Sequence, residues 1–299
     1  MIRSWLFVPG DSPRKLARGR VSGADALILD LEDSVAPERK RDARAMVAEA
    51  LLTPAEPALW VRINPLDEGG LDDLAAIVRA GPAGIMLPKA AGPAGVLRLS
   101  HGLDALERRD GVTRPLRILP VATETAAAPF ALGAYAAAAL PRLHGLTWGA
   151  EDLATALGAS TNRDGAGWAS TYRLVRALTL LAARAAGVEP IETLHADFRD
   201  TEGLRLTSLA AATEGFTGRL AIHPDQVPII NAAFLPSPEA VAHARRVLAA
   251  FAAAPGAGAV SLDGQMLDVP HLKQARRILE KAGALPRTPL GSETPNPRP

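Results

Sequence analysis

Two stretches of this sequence place carboxylates directly after apolar runs of strand length. In Leu146-Thr147-Trp148-Gly149-Ala150-Glu151-Asp152-Leu153 the run breaks at a glycine and delivers two acids where a helix should begin. Val121-Ala122-Thr123-Glu124-Thr125 repeats that grammar. Neither stretch contains a partner base, and carboxylates at the ends of two buried strands suit a hard, oxygen-preferring cation such as Mg²⁺. Glu124 and one of the two acids Glu151 and Asp152 are therefore the candidate metal ligands. Read singly, each is equally a helix-start residue, because unpaired amides and the macrodipole favour an acid there. Their shared placement at strand ends weighs toward the metal.

Composition narrows the chemistry further. A formal net charge of +1 over 299 residues provides no field for nucleic acid or an anionic membrane, although Arg14, Lys15, Arg18 and Arg20 form a local basic cluster suited to a small anionic ligand. The absence of cysteine excludes disulfides, thiolate zinc sites and a cysteine nucleophile. The first apolar run begins within a few residues of Met1, leaving no space for a signal peptide, and the Ala-rich stretch from Ala126 to Leu140 is cut by Pro129 and Gly133. A cytoplasmic protein is expected.

The elements that must position these groups follow from patterning. With 48% hydrophobic content the chain can bury a full core. Runs of strand length recur at Ser4–Val8, Ala24–Leu29, Leu59–Ile63, Ala83–Leu87, Leu116–Ala122, Leu143–Trp148, Pro190–Leu194 and Gly218–Ile222. Most are continuous, as expected of parallel strands covered on both faces. Helix-period segments lie between them, at Arg39–Leu52, Leu71–Ala80, Val96–Arg108 and Thr171–Ala186. This alternation predicts an α/β fold, a (β/α)8 TIM barrel. Nearly every run ends in reactive groups: Asp11; Asp30, Glu32 and Asp33; Arg62 and Asn64; Lys89; Glu124; Glu151 and Asp152; His195 and Asp197; His223. A barrel gathers all of them at its active-site face.

The pattern changes after residue 235. Pro236-Ser237-Pro238-Glu239 reads as a helix start, Asp263-Gly264 as a hairpin turn, and Val269–Ala282 as a last helix. Residues 1–235 are therefore expected to form the barrel, 236–285 a helical extension or lid, and 286–299 a disordered tail. Gly165-Ala166-Gly167 and Gly256-Ala257-Gly258 follow no strand and lack a third glycine, which disfavours dinucleotide binding. Among the lysines only Lys89 ends a barrel strand and could form a Schiff base, although a salt bridge to Glu32 or Asp33 is the favoured fate. His223, before a proline, is expected to hold a turn or line a ligand.

Taken together, Arg3-Ser4-Trp5-Leu6-Phe7-Val8-Pro9-Gly10-Asp11, Asp25 to Val35, Val61-Arg62-Ile63-Asn64, Leu87-Pro88-Lys89, Glu124-Thr125, Trp148 to Leu153 and Ala221 to Gln226 resemble the citrate lyase β-subunit-like branch of the HpcH/HpaI aldolase superfamily, with its malyl-CoA and citramalyl-CoA lyases. The resemblance implies a Mg²⁺-dependent carbon–carbon lyase that cleaves a short carboxylated 3-hydroxyacyl-CoA to acetyl-CoA and an oxo acid. It places the metal on Glu124 and Asp152 and the catalytic cation on Arg62, where a thioester enolate would develop charge. The family's Met-Ile-Asp-x-Pro motif reads Met266-Leu267-Asp268-Val269-Pro270 here, which makes Asp268 the expected acid/base. Substrate contacts are expected from Arg62 and Glu124, and contacts to the CoA phosphates from Arg14, Lys15, Arg18 or Lys40. A homotrimer or hexamer is also implied. The alternatives are a malate-synthase-like or malyl-CoA-thioesterase-like enzyme, and a citrate lyase β subunit active only within a complex.

Overall fold

The computed structural model describes residues 1–165 and 167–286. The tail expected from Pro286 onward lies, beyond that residue, outside this range. The chain divides into two compact units, Ile2–Asn231 and the segment from Ala232. The division falls inside the eighth helix, whereas the sequence reading places a boundary after residue 235.

The larger unit runs β1 (Ser4–Pro9), α1 (Pro13–Arg20), β2 (Ala26–Asp30), α2 (Lys40–Leu52), β3 (Ala58–Arg62), α3 (Leu71–Ile77), β4 (Gly84–Leu87), α4 (Pro93–Asp110), β5 (Arg117–Pro120), β6 (Gly145–Thr147), α5 (Ala150–Leu157), the small hairpin β7 (Arg163–Asp164) and β8 (Gly167–Trp168), α6 (Ser170–Ala185), β9 (Glu189–Glu192), α7 (Thr201–Glu214), β10 (Gly218–Ala221) and α8 (Gln226–Ala233). Eight strands pair in parallel in the order β5-β4-β3-β2-β1-β10-β9-β6. Parallel bridges Ile118↔Leu143 and Val121↔Thr147 join β5 to β6 and close the ring. This is the expected barrel, and each of its strands falls within or beside one of the eight apolar runs. The continuity of those runs has its cause in burial on both faces: all five residues of β2 are buried.

The inner face carries Trp5, Ala26, Ile28, Trp60, Met86, Leu119, Val121, Ile191 and Leu220. Its floor is aromatic, with the Trp5, Trp60 and His144 rings 5.1 to 5.6 Å apart, centroid to centroid. Gly84 is required beside it, since a Cβ there would sit 2.3 Å from the Trp60 ring. Between β5 and β6 the chain makes a 3₁₀ segment, Ala128–Ala136, in place of a full helix. Pro129 and Gly133 interrupt any α-helical run there.

The unit from Ala232 contains α9 (Pro238–Ala252), a hairpin of β11 (Ala259–Leu262) and β12 (Gln265–Asp268), and α10 (Val269–Lys281). Its core is Ala244, Val247, Leu267, Ala275 and Leu279. The hairpin turns at Asp263 and Gly264, both with positive φ (52° and 76°), as an Asp-Gly two-residue turn requires.

Candidate active site

The pleat of the strands decides which side chains face the mouth. Trp5, Ile28 and Trp60 point inward, so Phe7, Asp30 and Arg62, two residues further along the same strands, form the next inward layer. The parallel register sets Asp30 beside Arg62. Arg62 donates through Nε and Nη2 to Oδ1 and Oδ2 of Asp30, both at 2.7 Å. Its Nη1 lies 3.0 Å from Glu32 Oε2 and 3.5 Å from Asp33 Oδ2, and its guanidinium lies 4.7 Å from the centroid of the Phe7 ring. Burial disfavours the Asp30 carboxylate, but hydrogen bonds and charge from Arg62, together with backbone N–H groups, hold its pKa below the usual range. Burial likewise works against the Arg62 cation, and Asp30, Glu32 and Asp33 more than offset it, raising its pKa. Asp30, Glu32 and Asp33, three acids close together at one strand end, thus share an arginine as counter-charge.

Lys89 adds a second cation. Its Nζ donates to Glu32 Oε1 at 2.5 Å, the salt bridge favoured by the sequence. Burial nonetheless raises the Glu32 pKa against the pull of Arg62 and Lys89.

Glu124 lies in a bend after β5, so it is not a helix-start residue. Lys89 N–H donates to its Oε2 at 2.5 Å, and no described residue donates to its Oε1. A Cβ at Gly149 would stand 2.8 Å from Glu124 Cγ, so the glycine is what lets this carboxylate lie against the start of α5. Burial pushes the Glu124 carboxyl up to about 8; the Lys89 amide opposes the shift, and the charges of Asp152 and Glu32 add to it. Asp152 sits in the first turn of α5, whose N-cap is Gly149 with no side-chain cap bond. Asp152 has no salt bridge or hydrogen-bonded side-chain partner among the described residues.

Two acids aimed at one mouth, one of them buried, short of donors and repelled by its neighbours, call for a cation. The described residues contain no cluster of three or more metal-ligating side chains. That composition fits Mg²⁺, which is held by one or two carboxylates and keeps waters or substrate oxygens on its remaining positions, and does not fit zinc.

Residues 3–224 match the family described as HpcH/HpaI aldolase/citrate lyase. The chain belongs to that family. Residues 186–285 also match a family of TIM-barrel carbon–carbon bond lyases. An L-malyl-CoA/β-methylmalyl-CoA lyase of Cereibacter sphaeroides is 36% identical over 94% of each chain. A citrate lyase subunit β-like protein of Mycobacterium tuberculosis is 39% identical over 93% of this chain and 95% of that one. The crystal structure of CitE from M. tuberculosis in complex with magnesium, acetoacetate and coenzyme A superposes with a TM-score of 0.77 at 37% identity, covering 94% of this chain and 98% of that one.

In this HpcH/HpaI-family chain the remaining expected site residues fall unevenly. Arg14 and Lys15 stand exposed on the first turn of α1, open to an anion. Arg18 sits 3.7 Å from Asp225. Lys40 does not fit a phosphate contact: its Nζ donates to Leu31 O (2.7 Å), Glu32 O (2.6 Å) and Asn64 Oδ1 (2.8 Å), which uses all three ammonium donors. It ties the β2 end to the β3 end instead. Asp268 is the N-cap of α10, with its Oδ1 2.5 Å and its backbone N 3.2 Å from His271 Nδ1. His223 stacks on Phe198 at 4.9 Å, and its backbone N–H, with that of Ile222, donates to Gln226 Oε1, as a turn-holding residue would.

Sequence reading missed two groups. Phe7 beneath Arg62 was available from the alternation of β1 once Trp5 is set inward. The Lys89 amide was not, because nothing in Leu87-Pro88-Lys89 announces that Lys89 adopts φ 50°. No described helix is long and apolar enough to cross a membrane.

Proposed function

We propose that this protein is a Mg²⁺-dependent carbon–carbon lyase that cleaves a short carboxylated 3-hydroxyacyl-CoA thioester, of the malyl-, citramalyl- or citryl-CoA type, to acetyl-CoA and an oxo acid. One observation carries the reading: in a chain of this family, the unneutralised pair Glu124 and Asp152 shares a barrel mouth with a guanidinium that is fixed before any substrate arrives. Glu124 and Asp152 would hold the cation, which when bound supplies Lewis acidity toward substrate oxygens. Arg62 is clamped on one edge by Asp30, so it presents a positive charge at a set position and loses little freedom on meeting a thioester oxygen that becomes negative. The similarity to an L-malyl-CoA/β-methylmalyl-CoA lyase, and to a CitE crystallised with magnesium and coenzyme A, supports this assignment. Arg14 and Lys15 would meet the phosphates of CoA. Asp268 would move the proton at the acetyl carbon, from a neighbouring subunit of a trimer or hexamer, closing the site against water.

The test is incubation with Mg²⁺ and each of malyl-, citramalyl- and citryl-CoA, followed by product identification. Acetyl-CoA with an oxo acid is the expected outcome. Free CoA without acetyl-CoA would make the enzyme a thioesterase, and no turnover of any of the three would defeat the reading.

A further inference from the structure

Lys89 is one of two described non-glycine residues with a positive φ, and the other forms a hairpin turn on the surface. A left-handed backbone is unfavourable for a residue with a side chain. Glycine would adopt φ 50° freely, so the strain is matched by something that the lysine side chain does. The conformation turns one residue toward two carboxylates at once. Its amide N–H donates to Glu124 Oε2 and its ammonium to Glu32 Oε1, both at 2.5 Å. Glu32 offers its other oxygen, Oε2, to Arg62 Nη1 at 3.0 Å. Glu32 is 4% exposed and Arg62 12%, so neither charge is screened by bulk water.

We infer that Lys89 is a positioning residue that couples the two halves of the site: its amide fixes the metal carboxylate Glu124, and its ammonium holds Glu32 so that Arg62 stays aimed at substrate. Glu32 is shared, one oxygen to each cation. Without the ammonium, a buried and unmatched carboxylate would face a single partner and draw Arg62 Nη1, the one guanidinium nitrogen not bound to Asp30, into a closer pair. An arginine turned toward Glu32 by a fraction of an ångström is misplaced for a developing oxyanion, and a displacement near 1 Å costs about 100-fold in rate. This inference rests on the reading of Glu124 and Arg62 given above.

Lys89→Met tests it, because methionine keeps the unbranched shape and the same backbone strain while removing the ammonium, with its charge and its hydrogen bond to Glu32. The expected result is a kcat lowered about 30-fold or more, with KM for the thioester changed by less than about threefold, since the loss is in transition-state support. Mg²⁺ affinity, measured by calorimetry without substrate, should not weaken, because the amide on Glu124 remains and a positive charge has left. The decisive arm is Lys89→Met combined with Glu32→Gln. Glutamine keeps the size of the side chain but carries no charge to draw Arg62, so at least a third of the lost log kcat should return. A merely structural lysine would give no such rescue. Lys89→Met with near-parental kcat, or a double variant no faster than the single one, overturns the inference. Glu124→Gln run in parallel separates the layers: if it binds Mg²⁺ like the parent protein, the site assignment and this inference both fall. If it loses Mg²⁺ while Lys89→Met behaves as the parent, the inference alone does.

Discussion

Arg62 and Asp30 meet edge to edge, Nε on Oδ1 and Nη2 on Oδ2, each at 2.7 Å, on adjacent parallel strands whose register makes them neighbours. An ammonium has one nitrogen, so it cannot set two parallel donors on that carboxylate edge while holding a further coplanar donor toward the substrate. Arg62→Lys is therefore expected to keep the fold and lose about 100-fold or more in kcat/KM, since positioning and charge are both degraded. Steady-state kinetics alongside circular dichroism checks this. Near-parental turnover would reduce Arg62 to a structural ion-pair partner of Asp30.

Glu124 gives a pH prediction. In the metal-free protein its carboxyl is pushed up to about 8, by burial first and by its acidic neighbours after that. Below that pH the group carries a proton, and Mg²⁺ must displace it. Apparent Mg²⁺ affinity should therefore fall as pH drops from 8 toward 6, approaching about tenfold per pH unit, with a proton released on binding. Calorimetry in two buffers of different ionisation enthalpy measures that release directly. Glu124→Gln should lose Mg²⁺ binding and about 100-fold or more in activity, and Asp152→Asn should do the same. A Mg²⁺ isotherm independent of pH between 6 and 8 would remove Glu124 from the metal.

Much of this site was legible because parallel barrels write their chemistry at the ends of apolar runs. Asp30, Arg62, Glu124 and Asp152 each lie at or just past the end of such a run, and the alternation from Trp5, Ile28 and Trp60 orients three of the neighbouring side chains. What resisted reading was local backbone geometry and donor count. Lys40 looked free for phosphate because sequence cannot show that Leu31 O, Glu32 O and Asn64 Oδ1 already take its three protons. The 3₁₀ segment at Ala128–Ala136 escaped notice because alanine favours a helix without naming which kind. Patterning reports which face is buried; it does not report which oxygen a proton faces.

The aromatic floor carries its own pH signature. His144 packs against Trp5 and Trp60, and burial lowers its pKa to about 4. The unfolded chain binds this proton near pH 6.5, whereas the folded chain resists it until about pH 4. Stability from this group is therefore fully present above pH 6.5 and is lost as pH falls toward 4, by on the order of 3 kcal/mol. His144→Phe keeps a ring in the stack and removes the titration. Urea midpoints measured at pH 7 and pH 4.5 should converge for the variant relative to the parent; an unchanged difference between the two pH values would show that His144 is not the group responsible.

Asp268 poses the sharpest choice between structure and chemistry, because the structure shows it capping α10 beside His271. Asparagine caps helices as well as aspartate does. Asp268→Asn should therefore hold its melting temperature within about 2 °C, the loss of the His271 pairing at this exposed site being small. If the carboxylate is the acid/base, the same variant should lose about 100-fold or more in kcat, because an amide cannot take up the proton. If Asp268 were only a cap, activity would survive along with stability. Mixing then asks whose site the carboxylate serves. Asp268→Asn and Asp152→Asn subunits, each inactive alone, are mixed under conditions where labelled chains demonstrably exchange. Donation across a subunit boundary gives some mixed oligomers a site with both residues intact, and activity should rise above that of either variant. Exchange without that rise would place Asp268 over its own barrel, and full activity of Asp268→Asn by itself would end its catalytic role.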